Sequence, residues 1–198
     1  MDSTHIKQPL KSQSLCKLSI PFGVALAQRI VLCRFAGSDT TATTMRATLL
    51  HVASNPLIYK RLLTEIDAAV KEGQLSNPAT EQEVKKLPYL QACIKEGMRI
   101  FPSITYLRER VTPPGGDHLN GHYIPGGVNI GVNLPGILLN DVFEPQKHVF
   151  RPERWIDSDP NKITEMERVH ELVFGWGDSR CLGIRMAGTN LSKFFVEV

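Results

Sequence analysis

The sequence predicts an α+β chain that is mainly α. Three stretches in residues 21–101 read as helices, two of them bounded by prolines. From Arg110 the texture changes to short alternating segments between Gly and Pro, which reads as a small sheet with tight turns. A loop and a last helix follow. Helices, then a small sheet, then loop and helix is an α+β order.

Taken in chain order, residues 1–18 lack apolar periodicity and are expected to form a loose tail, so the predicted division is a tail over 1–20 and one domain over 21–198. Residues 21–54 read as one long helix, with Pro21 tolerated in its first turn. Its run VALAQRIVLCRF is apolar on most sides and predicts an interior helix. Ala36-Gly-Ser-Asp-Thr-Thr41 then places Gly and polar residues inside that helix, a conflict with local propensity of the kind found at functional sites. Asn55-Pro56 breaks the helix. Leu57–Glu72 restarts it with Leu62, Leu63, Ile66 and Val70 at helical spacing. Glu83–Pro88 reads as a short turn, and Tyr89–Phe101 as a helix stopped by Pro102. His122–Ile124 and Val128–Val132 read as strands, Val142–Trp155 as irregular chain, Lys162–Arg168 as a short helix and Ile184–Val198 as the last helix.

The chain has 198 residues, 42% hydrophobic and 22% charged, an ordinary composition for a globular domain. Net charge is +3 with a pI near 8.7, and the basic residues are dispersed. That balance does not argue for a nucleic-acid partner. Cys16, Cys33, Cys93 and Cys181 lie far apart with no CxxC pair, so neither a zinc site nor a disulfide framework is expected. No secretory signal is evident. The apolar stretch Ile20–Phe35 is short for a bilayer span and carries Gln28, Arg29 and Arg34.

Five clusters carry candidate chemistry. Phe174-Gly-Trp-Gly-Asp-Ser-Arg-Cys181-Leu-Gly183 surrounds one cysteine with three glycines. One thiolate does not complete a tetrahedral zinc site, but it can supply one axial ligand to haem iron. Gly175, Gly177 and Gly183 would let backbone bend sharply and approach a flat cofactor. The following helix start and nearby N–H groups would stabilise a negative sulfur. The plainer alternative is a buried free cysteine in a turn. Glu96-Gly-Met-Arg99 puts a carboxylate and a guanidinium on one helical face, the alternative being a surface ion pair of little worth. In Phe150-Arg-Pro-Glu-Arg-Trp155, Arg154 is able to fork onto a buried carboxylate, or the segment is a loop that packs Trp155. Asp39-Thr40 pairs an acid with a hydroxyl able to relay protons, against a threonine bonded back to its own helix. Arg110 suits an anionic ligand group, or is an exposed edge-strand charge.

The order and spacing of AGSDTT, EGMR, RVTPPGG, FRPERW and FGWGDSRCLG resemble the C-terminal half of a cytochrome P450, and look most like the fungal secondary-metabolism type. The resemblance covers about residues 21–198. It implies the C-terminal half of that fold: long central helix, ion-pair helix, small β-sheet, haem-ligand loop and helix. It implies haem b with Cys181 as axial thiolate, Phe174, Gly175 and Gly183 shaping the ligand loop, and Arg110 at a haem propionate. It makes Glu96, Arg99 and Arg154 a structural ion-pair triad, and Asp39 and Thr40 the acid–alcohol pair that delivers protons. The implied reaction inserts one oxygen atom from dioxygen into a small, largely apolar metabolite, with NADPH electrons arriving through a separate reductase. A non-catalytic remnant and a haem-thiolate isomerase or dehydratase are the alternatives.

Two departures accompany the resemblance. Ser179 stands where the family often has a basic residue, with Arg180 one place later. Family members are also much longer, so a truncated chain with exposed apolar helix surface and poor stability is expected. Relatives sit on the cytosolic face of the endoplasmic reticulum through an N-terminal anchor, and membrane association would need such an anchor.

Overall fold

The structure, a computed structural model, describes residues 22–197. The expected tail over 1–20 lies outside the described residues. The chain divides into two units, Met1–Ala36 and Gly37–Val198. The described part of the first belongs to helix α1 (Phe22–Ala53), which continues into the second without a break at AGSDTT.

The expected interior helix is corrected at its described side chains. Ile30, Val31 and Phe35 are exposed, Phe35 at 75%. Burial instead follows one stripe, Thr41, Thr44, Thr48 and Val52, spaced as one face of a helix. Leu49 and Leu50 of the same helix face solvent.

Helix α2 (Pro56–Lys71) restarts because Asn55 caps it, accepting from the Leu57 and Ile58 amides, while Pro56 fits a first turn. Helix α3 (Glu81–Val84), where only a turn was expected nearby, forms on a reciprocal capping box between Thr80 and Glu83. Helix α4 (Pro88–Ile100) has no cap from its own N-cap residue, Leu87. Glu65 of α2 supplies it instead, accepting from the Tyr89 and Leu90 amides at 2.8 and 2.9 Å. A carboxylate there satisfies donors that a helix start leaves open and suits its positive end.

Strands β1 (Arg110–Val111) and β4 (Asn129–Ile130) pair antiparallel, with Arg110 opposite Ile130. Between them β2 (Asp117–Leu119) and β3 (His122–Ile124) form a separate antiparallel hairpin. The expected small sheet is thus two two-stranded ladders. Pro113, Pro114 and Pro125 offer no N–H at the junction, so one ladder cannot run through. Thr112 holds the junction together: its hydroxyl donates to the Pro125 carbonyl at 2.6 Å and accepts from the Val128 amide at 2.9 Å.

The remaining elements are a short helix α5 (Leu134–Leu138), which periodicity does not reveal, then α6 (Pro160–His170) and α7 (Ile184–Glu197). Single 3-10 turns at Asp141–Phe143 and Pro152–Trp155 give the segment expected to be irregular its local form.

Helix α4 is the centre of the second unit. Leu90, Cys93, Ile94 and Met98 form one core with Ile58 and Leu62 of α2, Val52 of α1 and Leu191 and Phe195 of α7. Ala92 joins a second core with Phe143, Trp155 and Met166. His170 lies beneath it, edge-on to Trp155 at 5.2 Å, and burial pushes its imidazole down to about 4, so it is neutral at physiological pH.

The crossing of α1 on α4 depends on Gly97. A Cβ there would stand 1.9 Å from Thr48 Oγ1. That oxygen is buried with no hydrogen-bond partner. Helix propensity alone predicts that Gly97→Ala stabilises by about 1 kcal/mol. The collision reverses the sign: Gly97→Ala is expected to destabilise the chain by about 2–3 kcal/mol, and Thr48→Ala in the same chain to recover part of the loss. Urea midpoints of the two single variants and the double variant measure this.

Candidate functional site

The structure brings Glu96, Arg99 and Arg154 together in the dry interior, with side chains 0–2% exposed. Arg99 forks onto Glu96: Nε donates to Oε2 at 2.9 Å and Nη2 to Oε1 at 2.7 Å. Arg154 Nε donates to Glu96 Oε1 at 3.0 Å, and Trp155 Nε1 to Oε2 at 2.9 Å. The Arg151 amide adds a further bond to Oε1. One carboxylate thus receives five donors. The guanidinium edges left over face backbone. Arg99 holds the Leu138, Lys147 and Val149 carbonyls, and Arg154 those of Phe143, Gln146 and Val149. Chain with almost no regular structure is therefore hung on two cations. Only a buried, planar, multi-donor group does this, which lysine does not.

The cysteine loop leaves a 3-10 turn at Glu171–Phe174. Gly175 follows at φ +80° and ψ 177°, a conformation essentially restricted to glycine. Its missing Cβ would also press on the Ser179 carbonyl at 2.9 Å. Gly177 needs the same freedom at φ +63°, and opens a second 3-10 turn at Gly177–Ser179. The loop closes where the Cys181 amide donates to the Phe174 carbonyl at 2.7 Å. Phe174 is half-buried and packs against the main core, which anchors the loop's first limb. Gly183 differs from the other two. A Cβ there would meet only one protein atom, Cys181 Sγ at 3.9 Å, and its φ is not in the left-handed region.

Cys181 is exposed at the loop's end, not buried in a turn. Leu182 beside it is fully exposed, an apolar side chain with no cover. Arg180 pairs with Glu171 at 3.7 Å, both about half exposed. Arg110 opens β1 with an exposed side chain. Asp39 is 75% exposed and stands 4.0 Å from Arg46, an ion pair worth little in solvent. Thr40, one residue on, is half-buried, and its carbonyl accepts the Ser103 hydroxyl at 2.8 Å, with Thr44 Oγ1 3.2 Å away.

Two residues at this site carry no motif. Arg108 Nη2 donates to the Leu172 carbonyl at 2.6 Å, and its Nη1 lies 3.0 Å from where a Gly175 Cβ would stand. It ties the approach to β1 onto the cysteine loop. Ser103 is the other. A single Arg or Ser in a loop has no periodicity or spacing to mark it.

The family model for cytochrome P450 matches residues 25–198. The chain belongs to the cytochrome P450 family. Among curated relatives it is 44% identical to the cytochrome P450 monooxygenase ABA1 of Pyricularia oryzae, covering 86% of this chain and 34% of that protein. It is 42% identical to the cytochrome P450 monooxygenase cicH of Emericella nidulans, over 82% of this chain and 33% of the relative. With gsfF of Penicillium aethiopicum, also a cytochrome P450 monooxygenase, identity is 35% over 80% of this chain and 31% of the relative. The chain thus spans about a third of the length of these relatives. The mainly helical architecture with small antiparallel ladders is that of a partial P450 fold.

P450 proteins generally bind haem through a cysteine thiolate. The residues here suit that group. Among the described residues, no cluster of three or more His, Cys, Asp or Glu stands ready to hold a bare metal ion. An exposed cysteine sulfur outside any such cluster, as at Cys181, is the donor expected for iron whose other ligands come from a macrocycle. Among the described residues, no helix is long and apolar enough to cross a membrane.

Proposed function

We propose that this P450 chain is the haem-thiolate portion of a monooxygenase that inserts one oxygen atom from dioxygen into a small, largely apolar metabolite of fungal secondary metabolism. The observation that carries the reading is the cysteine loop, closed by the Cys181–Phe174 bond and presenting an exposed thiol beside uncovered Leu182. The monooxygenase names of its fungal relatives support the reaction class.

In this reading Cys181 would supply the thiolate that holds haem iron, and Gly175 and Gly177 give its loop the required shape. A thiolate ligand enriches the iron in electron density and favours O–O cleavage when haem is bound. Arg110, exposed on β1, is available to a propionate. Thr40 and Asp39 hold and pass protons from the outer face of α1. The Glu96–Arg99–Arg154 cluster keeps the segment 138–151 in place. Electrons come from NADPH through a separate reductase, and the location that goes with this reading is the cytosolic face of the endoplasmic reticulum.

The test is a reduced, carbon monoxide difference spectrum of the expressed chain supplied with haem. A thiolate-type Soret band is expected, and turnover that depends on NADPH and reductase. Absence of the band removes the haem-thiolate reading. A band with turnover that needs no external electrons replaces monooxygenation by isomerase or dehydratase chemistry.

A further inference from the structure

The hydroxyl of Ser103 lies where α4 has ended and the chain turns toward β1. Phe101 leaves helical backbone at φ −134° and ψ 77°, and Pro102, buried, cannot continue the helix. The turn sets Ser103 against α1. Ser103 Oγ donates to the Thr40 carbonyl at 2.8 Å and stands 2.8 Å from Thr44 Oγ1. Thr44 Oγ1 lies 3.2 Å from the same carbonyl. With its own proton on Thr40, Ser103 accepts the Thr44 proton, so the two hydroxyls form a directed chain that ends on the Thr40 backbone. Thr44 is 4% exposed, which shields this chain from water.

We propose that Ser103 is a positioning residue for Thr40, pinning its carbonyl from outside the helix and so fixing the turn of α1 that presents the Asp39–Thr40 pair. Thr44 alone would not do this. A threonine bonded back to its own i−4 carbonyl loosens or bends a helix rather than fixing it. Ser103 supplies the fixed point, because it belongs to a segment set by α4. The proposal rests on the reading of Thr40 as the proton-delivering alcohol.

Hydrogen–deuterium exchange on the full chain, with or without haem, reads the positioning directly. The Thr44 amide pairs with the Thr40 carbonyl inside the helix. In Ser103→Ala its exchange is expected to rise about fivefold, the change that one hydrogen bond of ordinary net strength produces. Ser103→Thr, which keeps the hydroxyl, is expected to restore the parent rate, and amides at 49–53 are expected not to change. Equal exchange at Thr44 in parent and Ser103→Ala overturns the proposal, as does failure of Ser103→Thr to rescue.

A second arm separates this inference from the reading beneath it. With haem, reductase and 7-ethoxycoumarin as probe, product formed per NADPH is measured for Thr40→Ala, Ser103→Ala and Ser103→Thr. Lower coupling in Thr40→Ala and Ser103→Ala, restored in Ser103→Thr, supports both. Lower coupling in Thr40→Ala alone overturns the role of Ser103. Unchanged coupling in Thr40→Ala overturns the role of Thr40 and with it this use of Ser103.

Discussion

Cys181→Ser is expected to abolish the thiolate-type Soret band of the reduced, carbon monoxide-treated protein while leaving the fold in place. Serine is nearly isosteric, but its hydroxyl stays protonated at neutral pH and is a poor ligand for a site that calls for soft sulfur. The change should cost little stability. The Cys181 side chain is exposed, and the bond that closes the loop comes from its backbone N–H, which serine keeps. Substitutions at such positions usually stay within about 0.5 kcal/mol. The expected result is therefore an unchanged thermal melt with complete loss of the band. Cys93 cannot substitute for the lost ligand: it is buried in the core, and burial pushes its thiol well above the ordinary cysteine range. A serine variant that kept the band would place the ligand at another cysteine.

Glu96→Ala is expected to produce the largest loss of stability of any single change in the chain. It leaves Arg99 and Arg154 charged in an interior where their side chains are 0–2% exposed. Burial lowers the Arg154 guanidinium from its ordinary value, yet an arginine does not discharge at any accessible pH. Breaking a buried ion pair by removing one partner costs about 3–5 kcal/mol. Here five donors lose their acceptor at once, among them Trp155 Nε1 and the Arg151 amide. Whole-domain stability is about 5–15 kcal/mol, so the variant is expected to sit near its unfolding threshold at 25 °C. Urea unfolding followed by far-UV circular dichroism measures the shift. A loss under about 1 kcal/mol would show that the cluster is solvated and that its carbonyl contacts do not hold the segment 138–151.

The helices were legible because their signals are local. Asn55-Pro56 and Pro102 punctuate the chain, and Leu62 and Ile66 of α2 repeat at helical spacing on the core, although Leu63 and Val70, at the same spacing in the sequence, face solvent. Helix α5 escaped notice because five residues hold too little periodicity to register. Gly175 and Gly177 make sharp bends at positive φ, whereas Gly183 does not. A positive φ is a property of the folded backbone, so three glycines in one loop look alike in sequence.

The sequence by itself determined the family and the fold class, because motif order, residue type and spacing are written in the chain. It did not determine burial or partnership. That Glu96 receives five donors, that Glu65 caps α4, that Arg108 ties β1 to the cysteine loop and that Ser103 reaches Thr40 were decided by tertiary structure. Each of these contacts joins residues from 3 to 64 positions apart. Apart from the Glu96–Arg99 pair, packing alone sets which side chain meets which carbonyl, and no local pattern encodes it. The exposure of Phe35 has the same origin: an apolar run predicts burial, but only a packed neighbour provides it.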